Sequence, residues 1–446
     1  MSKELSEKIR DKRASIAVIG LGHVGLPTAA IFADAGYQVI GSDVKKQVVN
    51  AITSLKLVTH EKGLDALVER VVRTGKLKAV VDNVLATKQA DCVLICAQTP
   101  LTEGKKPNMK YIENACRDVA KGLAKNKLVV VVSTVPPGTV RNLVANVIEK
   151  ESGLKCGVDF QLAYCPERIL PGNTVEEFIE NARLVGGFDF QSTVLTVELF
   201  KGVVKGKILV TDIANAELAK LAENTFRYVN IAFANELALI CEKMGADIIE
   251  VIKLANTHPR VNIHKPGPGV GGPCLTKDPQ LLLHPRGHSP FSSKLIRSSE
   301  ELNDFMSEHT VNLVVKALKG ANKIVKNSCV AVLGVAYKAE VSDATNSPSQ
   351  KIIHNLMRLG AEVRVYDPYA TENFGGKHTE SVKQAVEGTD CIVVTADHRM
   401  FADLPYKELK SLMNEKPVIV DAKRVLNVEK VKQEGFEYYA IGFGIK

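Results

Sequence analysis

A chain of 446 residues, 45% of them hydrophobic, is long enough for two or three separately packed cores. Its formal charge of +8, from 58 basic and 50 acidic residues, is a mild excess that serves solubility or draws an anionic substrate such as a sugar diphosphate; with 5% aromatic residues and no dense basic block, the composition excludes a nucleic-acid surface. The nine cysteines lack metal-ligand spacing, no apolar stretch reaches the roughly 18 residues of a membrane span, and the N-terminal MSKELSEKIRDKR is charged where a signal peptide is apolar, so a cytoplasmic protein without a metal site or membrane anchor is expected.

From Ala14 to Asp43 the chain reads as a strand (SIAVIG), a glycine turn, a helix (TAAIFADAG) and a second strand (YQVIGSD), which is one βαβ unit. Within it, Gly20-Leu-Gly22-His23-Val24-Gly25 follows a strand and opens a helix, the context that turns a G-x-G-x-x-G match into a dinucleotide fingerprint. Gly20 permits the tight turn, Gly22 lets backbone amides approach a pyrophosphate, and Gly25 lets helix and strand pack closely. Asp43 ends the second strand, where a carboxylate accepts from the adenosine ribose and repels a 2′-phosphate, so NAD is expected over NADP. The apolar runs DCVLICA, KLVVVVST and FQLAYCP extend this unit into a parallel sheet covered on both faces. Cys92 and Cys96 fall inside the first of these runs and read as buried strand. The first domain is expected to span residues 1–205.

Two loops at strand ends are candidates for chemistry. STVPPGT (133–139) stiffens the backbone with two prolines where a parallel sheet presents its ligand edge, which suits a cofactor or substrate contact by Thr134, although a plain loop has the same look. In CPERILPGN (165–173), Glu167 is placed to act as a general base or to hold a water; a surface pair of Glu167 with an arginine is the competing reading.

From Thr211 to Gly245 apolar residues keep helical spacing for roughly nine turns, with Gly245 as the stop; this has the length of a spine between domains that could carry a dimer interface, and a plain buried core helix has the same length. Lys220 and Asn224, four apart, share one face and could point together at a developing oxyanion, with a solvated helix lysine as the ordinary alternative. A central segment, residues 206–322, then carries HKPGPGVGGPCLTKDP. There Cys274 follows a run of glycines that allows close backbone approach and an exposed thiol; Lys277 is near enough to favour the thiolate, and Asp278 could orient a base or water. A small buried cysteine is the ordinary alternative. After Lys326 the pattern restarts with CVAVLGVAY, a helix, AEVRVYDP, CIVVTAD and PVIVDA, and Asp367 ends its second strand as Asp43 does. The expected fold is therefore α/β, with two doubly wound Rossmann-like domains joined by a long central helix, the second over residues 323–446 and related to the first as a degenerate repeat.

GLGHVGLP, STVPPGT, CPERILPGN, AELAKLAENTFRYVNIAFANE, GVGGPCLTKD and GVAYK, in this order over residues 14–445, resemble the UDP-glucose/GDP-mannose dehydrogenase family. The string NTHPRVNIHKPGPGVGG is similar to the branch acting on UDP-N-acetylhexosamines, UDP-N-acetyl-D-mannosamine above all, with UDP-N-acetylglucosamine and UDP-glucose as the alternatives.

The resemblance implies a homodimer joined through the central helix and a four-electron oxidation of the sugar C6 by two NAD. It makes Cys274 the nucleophile, Lys220 and Asn224 the oxyanion stabilisers, and Asp278, Glu167 and Thr134 a water network. Gly20, Gly22, His23, Val24, Gly25, Asp43, Thr99, Thr134 and Lys277 would hold NAD. Glu167, Arg168, Lys220, Asn224, Gly271 and Lys338 would meet the substrate, joined by His258 and Arg260 from the same chain or the partner subunit. The family writes its C-terminal motifs DDLRESP and DTR; here Thr345 and Lys423 stand where the arginines would be, which predicts looser domain closure or substitution by Arg424. The rivals are a two-electron alcohol dehydrogenase, which would not need Cys274, and a non-catalytic nucleotide-sugar or NAD sensor.

Overall fold

The computed structural model describes residues 2–57, 59, 61–169 and 172–444. The chain divides into two compact units, Met1–Glu223 with Lys277–Ser292, and Asn224–Thr276 with Ser293–Lys446.

In the first unit, strands Leu77–Val80, Gln38–Ser42, Ser15–Ile19, Cys92–Ile95, Leu128–Val131 and Gln161–Tyr164 lie side by side, all parallel, in chain order 3-2-1-4-5-6. Side chains alternate across a strand, and here the alternation feeds two cores on opposite faces. Ile16, Val18, Leu94 and Val130 enter one; Ala17, Ile19, Val93, Ile95 and Val131 enter the other. That is why these strands read as unbroken apolar runs.

The sheet is not purely parallel, as the sequence led us to expect. Arg183–Gly187 adds antiparallel to Gln161–Tyr164, and Ile208–Asp212 adds parallel beyond it. The segment RLVGG begins with a charge and ends in two glycines, so it lacks the apolar run that marks its neighbours. The glycines are required by packing: a Cβ on Gly187 would lie 2.1 Å from Thr193 Oγ1.

The second unit holds a six-stranded parallel sheet of Lys377–His378, Glu362–Tyr366, Cys329–Leu333, Cys391–Val394, Val418–Asp421 and Glu437–Ala440, again in the order 3-2-1-4-5-6. Both sheets carry the same local construction at the first strand's end. Gly20 (φ +93°) donates its amide to Ser42 O at 2.7 Å, and Gly334 (φ +96°) donates to Tyr366 O at 2.8 Å. The following amide then meets the aspartate that ends the second strand, Leu21 N to Asp43 at 2.9 Å and Val335 N to Asp367 at 2.7 Å. Two doubly wound Rossmann-like sheets are thus present, and the repeat is legible down to single hydrogen bonds.

Helix Ile213–Met244 runs for 32 residues and belongs to the first unit up to Glu223 and to the second from Asn224. Gly245, at φ +70°, stops it. Among the described residues, no helix is long and apolar enough to cross a membrane.

Candidate active site

The turn between Ile19 and the helix Gly25–Asp34 has the steric demands of a dinucleotide site. A Cβ on Gly25 would fall 1.7 Å from Gly20 O, and one on Gly20 would fall 2.9 Å from Cys96 O, so both positions must be glycine for the backbone to close. Gly22 is different: a Cβ there would meet nothing within 4 Å, and the space above it is open. His23 is exposed and Val24 half-buried. Val24 caps the helix without a side-chain bond, and the first turn has no acidic residue, so the positive end of the helix is left for an anion. Asp43 accepts with one oxygen from Leu21 N and with the other from Lys45 N, both at 2.9 Å, and stays half-exposed beside the turn. These residues fit NAD: open space for a pyrophosphate, a helix end to receive it, and an anion placed for ribose hydroxyls.

Still within the first unit, three of the expected cofactor residues are joined by hydrogen bonds. Lys277 Nζ donates to Thr99 Oγ1 at 3.3 Å, and Thr99 Oγ1 donates to the Thr134 carbonyl at 2.6 Å. Glu167 is 5% exposed and accepts from Arg183 Nη1 at 2.8 Å and from Arg168 N at 2.7 Å. The glutamate–arginine pair therefore exists, but it is buried, and its arginine is Arg183, itself 1% exposed. Arg168 turns its guanidinium to Glu223 at 2.7 Å and to the Ala182 carbonyl at 2.8 Å.

Lys220 and Asn224 stand one turn apart on the long helix and are 7% and 9% exposed. The Lys220 side chain is mostly buried, and its ammonium has no hydrogen-bond or ion-pair partner among the described residues. Asp278, 1% exposed, opens the short helix Asp278–Leu283.

In the second unit, Cys274 is the exposed member of nine free cysteines; the other eight are buried or half-buried, and burial raises the thiols of Cys92, Cys96, Cys116, Cys165 and Cys391 far from reactivity. Its loop is fixed by contacts the sequence did not announce. Tyr337 packs so tightly on Gly271 and Gly272 that a Cβ on either would lie 2.8 or 2.7 Å from its atoms. Gly272 N donates to Thr345 O at 2.8 Å, Thr276 Oγ1 donates to Gly272 O at 2.7 Å, and Asn346 Nδ2 donates to Thr276 Oγ1 at 3.1 Å. Thr345, standing where the family motif has arginine, thus serves through its carbonyl.

Lys423, at the other departure, lies 3.4 Å from Asp397, whose carboxyl burial pushes up but Lys423 and then Lys265 pull below the usual range. Arg424 is committed to Asp247 at 2.9 Å with its side chain 5% exposed. Lys338 is half-buried. His258 and Arg260 sit exposed on a turn that Asn256 closes onto Ile263 at 2.7 and 3.0 Å.

Sequence reasoning missed Arg183, Tyr337, Asn346 and Glu217. Only Glu217 carried a signal, three residues before Lys220 on the same helical face.

Three family models match in succession: the UDP-glucose/GDP-mannose dehydrogenase NAD binding domain over residues 14–204, central domain over 214–305 and UDP binding domain over 331–428. A UDP-N-acetyl-D-mannosamine dehydrogenase of Pyrococcus horikoshii is 41% identical over 429 residues, covering 96% of this chain and 99% of that protein. A solved UDP-D-ManNAc dehydrogenase structure from the same organism superposes with a TM-score of 0.90 at 40% identity, covering 96% and 99% of the two chains. An NDP-N-acetyl-D-galactosaminuronic acid dehydrogenase from Methanosarcina mazei Go1 gives 0.85 at 34% identity, covering 98% of each.

Proposed function

The chain belongs to the UDP-glucose/GDP-mannose dehydrogenase family and is an NAD-dependent oxidoreductase of nucleotide sugars, and from this premise we propose that it oxidises UDP-N-acetyl-D-mannosamine at C6 to the uronate through Cys274. The observation that carries the chemistry is the exposure of this one thiol among nine, on a glycine loop braced by Tyr337 and Thr345. The substrate assignment draws on the names of the relatives at 41% and 40% identity.

NAD, when bound at the Gly20–Gly25 turn, supplies the hydride acceptor for each of the two oxidations. Cys274 Sγ adds to the C6 aldehyde, and the thiohemiacetal keeps the half-oxidised sugar tethered. Loss of a second hydride leaves a thioester on Cys274. Water attacks it, the C–S bond breaks, and carboxylate and thiol are released. The balance is one water consumed and two NADH formed per sugar.

Alkoxide, thiohemiacetal and tetrahedral intermediate each place negative charge on one oxygen, and we assign Lys220 and Asn224 to it because an ammonium and an amide on mostly buried side chains, one helical turn apart, can donate to it together. Asp278, Glu167 and Thr134 are assigned to the attacking water. Glu167 is suited to orienting that water, since Arg183 Nη1 and the Arg168 amide hold its two carboxyl oxygens in place. Gly271, Arg168, Lys338, His258 and Arg260 are assigned to the substrate, and the segments 1–205, 206–322 and 323–446 to cofactor binding, dimerisation with catalysis, and UDP-sugar binding.

A homodimer through the long helix is supported by Phe226, Phe233 and Ile240, exposed at seven-residue intervals, with Met244 four residues on. Such a seam is what a second copy of the helix would cover, and charge introduced at Phe233 should then yield a monomer in light scattering. Nine free cysteines support a reducing, cytoplasmic setting.

The deciding experiment counts NADH against a panel of UDP-sugars. Two NADH per UDP-N-acetyl-D-mannosamine without free aldehyde is expected. One NADH with accumulating aldehyde would overturn covalent catalysis, and equal rates on UDP-glucose would remove the N-acetylhexosamine assignment.

A further inference from the structure

We infer that Glu217 is a positioning residue that clamps the 133–139 turn, which carries Thr134, onto the helix that carries Lys220, and so sets the geometry of the site through its neighbours. The inference rests on the reading above for what the site does, and on independent geometry for the clamp.

After the strand Leu128–Val131 the turn contains Pro136 and Pro137, which remove two amide donors, and the next amides open a helix that runs from Val140 through Ser152. A helix start needs acceptors for its free amides. The residue placed to cap, Thr139, does not do so, and its Oγ1 is buried without a partner. Glu217 supplies the cap from 79 residues away: one oxygen accepts from Gly138 N at 2.6 Å and the other from Val140 N at 2.8 Å. Glu217 is 0% exposed, so it touches neither solvent nor ligand and acts only through what it holds. Three residues on, Lys220 projects from the same face of the helix.

The same turn is tied at other points to residues of the reaction. The carbonyl of Thr134 accepts from Thr99 Oγ1, which in turn accepts from Lys277 Nζ. Pro137 O accepts from Arg286 N at 2.7 Å, in the segment that follows Asp278. A Cβ on Gly138, at φ +81°, would lie 2.6 Å from Arg286 O, so the approach is close enough to demand glycine.

The clamp is also sensitive to protonation. Burial pushes the Glu217 carboxyl up to about 7 even though the amides of Val140 and Gly138, the charge of Arg141 and the amide of Thr139 pull it down. The charged and titratable groups around it are Arg141 from the capped helix, Lys220 on its own helix, and Tyr164 from the adjacent strand. The hydroxyl of Tyr164 is raised first by burial and then by the charges of Glu217 and Asp278, so both carboxylates act on the same buried phenol. Above about pH 7 the ionised carboxylate accepts both amides; below it, the protonated form presents a donor to one of them and the clamp loosens.

Glu217→Gln tests this in the full-length enzyme, because the amide can accept from only one of the two donors. At pH 8 the variant should keep its far-UV spectrum, hold KM for NAD and UDP-sugar within about threefold and lose about ten- to a hundredfold in kcat. The wild-type kcat should fall below about pH 7, and the variant's kcat–pH profile should lack that fall. Amide hydrogen exchange over residues 133–145, compared at the same pH, should be faster than in the wild type. Wild-type kcat with an unchanged pH profile would overturn the inference, and so would unchanged exchange. Failure of the wild type to oxidise any UDP-sugar would instead sink the functional reading, and the exchange result would still decide whether the clamp exists.

Discussion

The carboxylate of Glu167 lies 2.8 Å from the guanidinium of Arg183, and both side chains are shut away from solvent. Arg183 is further held by the Phe178 carbonyl at 3.2 Å and by the Phe178 ring, whose centre is 4.0 Å away. Such a pair fixes the orientation of the Glu167 side chain just past the strand Gln161–Tyr164. It also means that position 183, which has no motif around it, governs a residue of the proposed water network.

Removing the cation alone should be costly. Arg183→Met leaves a buried carboxylate without its counterion and is expected to lose about 3–5 kcal/mol of stability. Combining it with Glu167→Gln should recover at least about 1 kcal/mol, because the two groups are coupled. Urea unfolding of the two single variants and the double variant measures this; strictly additive costs would show that the pair is not coupled.

The glycine turn separates a structural requirement from a ligand requirement. Gly25→Ala places a Cβ 1.7 Å from a backbone oxygen, so the helix must move off the strand, and a drop in melting temperature of several degrees is expected without any ligand. Gly22→Ala meets nothing within 4 Å and should melt like the wild type, yet obstruct the pyrophosphate and weaken NAD binding by about tenfold or more. Melting curves with and without NAD decide the matter; full NAD stabilisation of the Gly22 variant would move the cofactor elsewhere.

Much of this was readable in the sequence because local spacing carried it. The G-x-G-x-x-G turn, the stop at Gly245 and the second Rossmann-like pattern ending at Asp367 all depend on residues within a few positions of one another. What escaped notice depends on long-range pairing. Glu217 meets Gly138 across 79 residues, and Arg183 meets Glu167 between a strand and an antiparallel neighbour that RLVGG did not advertise. The support of the cysteine loop by Tyr337, Thr345 and Asn346 crosses some seventy positions and follows from no motif. Even the shared aspartates differ in a way that only packing reveals: Asp43 is half-exposed beside its turn, while His398 Nε2 closes over Asp367 at 3.1 Å.

That difference predicts a pH dependence. Burial pushes the Asp367 carboxyl up, but His398 and the amides of Ala336, Ala370 and Tyr369 outweigh it and bring the group down to about 2. A depressed carboxyl stabilises the fold above its unfolded value of about 4, and that contribution is lost as pH falls toward 2. A carboxyl lowered from about 4 to about 2 contributes about 2–3 kcal/mol. Asp367→Asn should therefore be less stable than the wild type at pH 7, with the gap closing between about pH 4 and pH 2; a gap that stays constant over that range would remove the assignment.

Cys274 gives the sharpest chemical prediction, because its eight companions are buried or half-buried while it alone is exposed. A thiol reagent of moderate size, applied to the native enzyme, should modify one site and abolish turnover in step with that modification. Cys274→Ser should resist the reagent, keep NAD binding because the Gly20–Gly25 turn is untouched, and lose the overall oxidation by about a thousandfold or more, since an alkoxide nucleophile is far harder to generate at neutral pH than a thiolate. Mass spectrometry of the wild type quenched during turnover should find the sugar attached at this residue. If the enzyme modified at Cys274 still releases two NADH per sugar, the thiol is not the tether, and the second oxidation must proceed on a hydrated aldehyde held without a covalent bond.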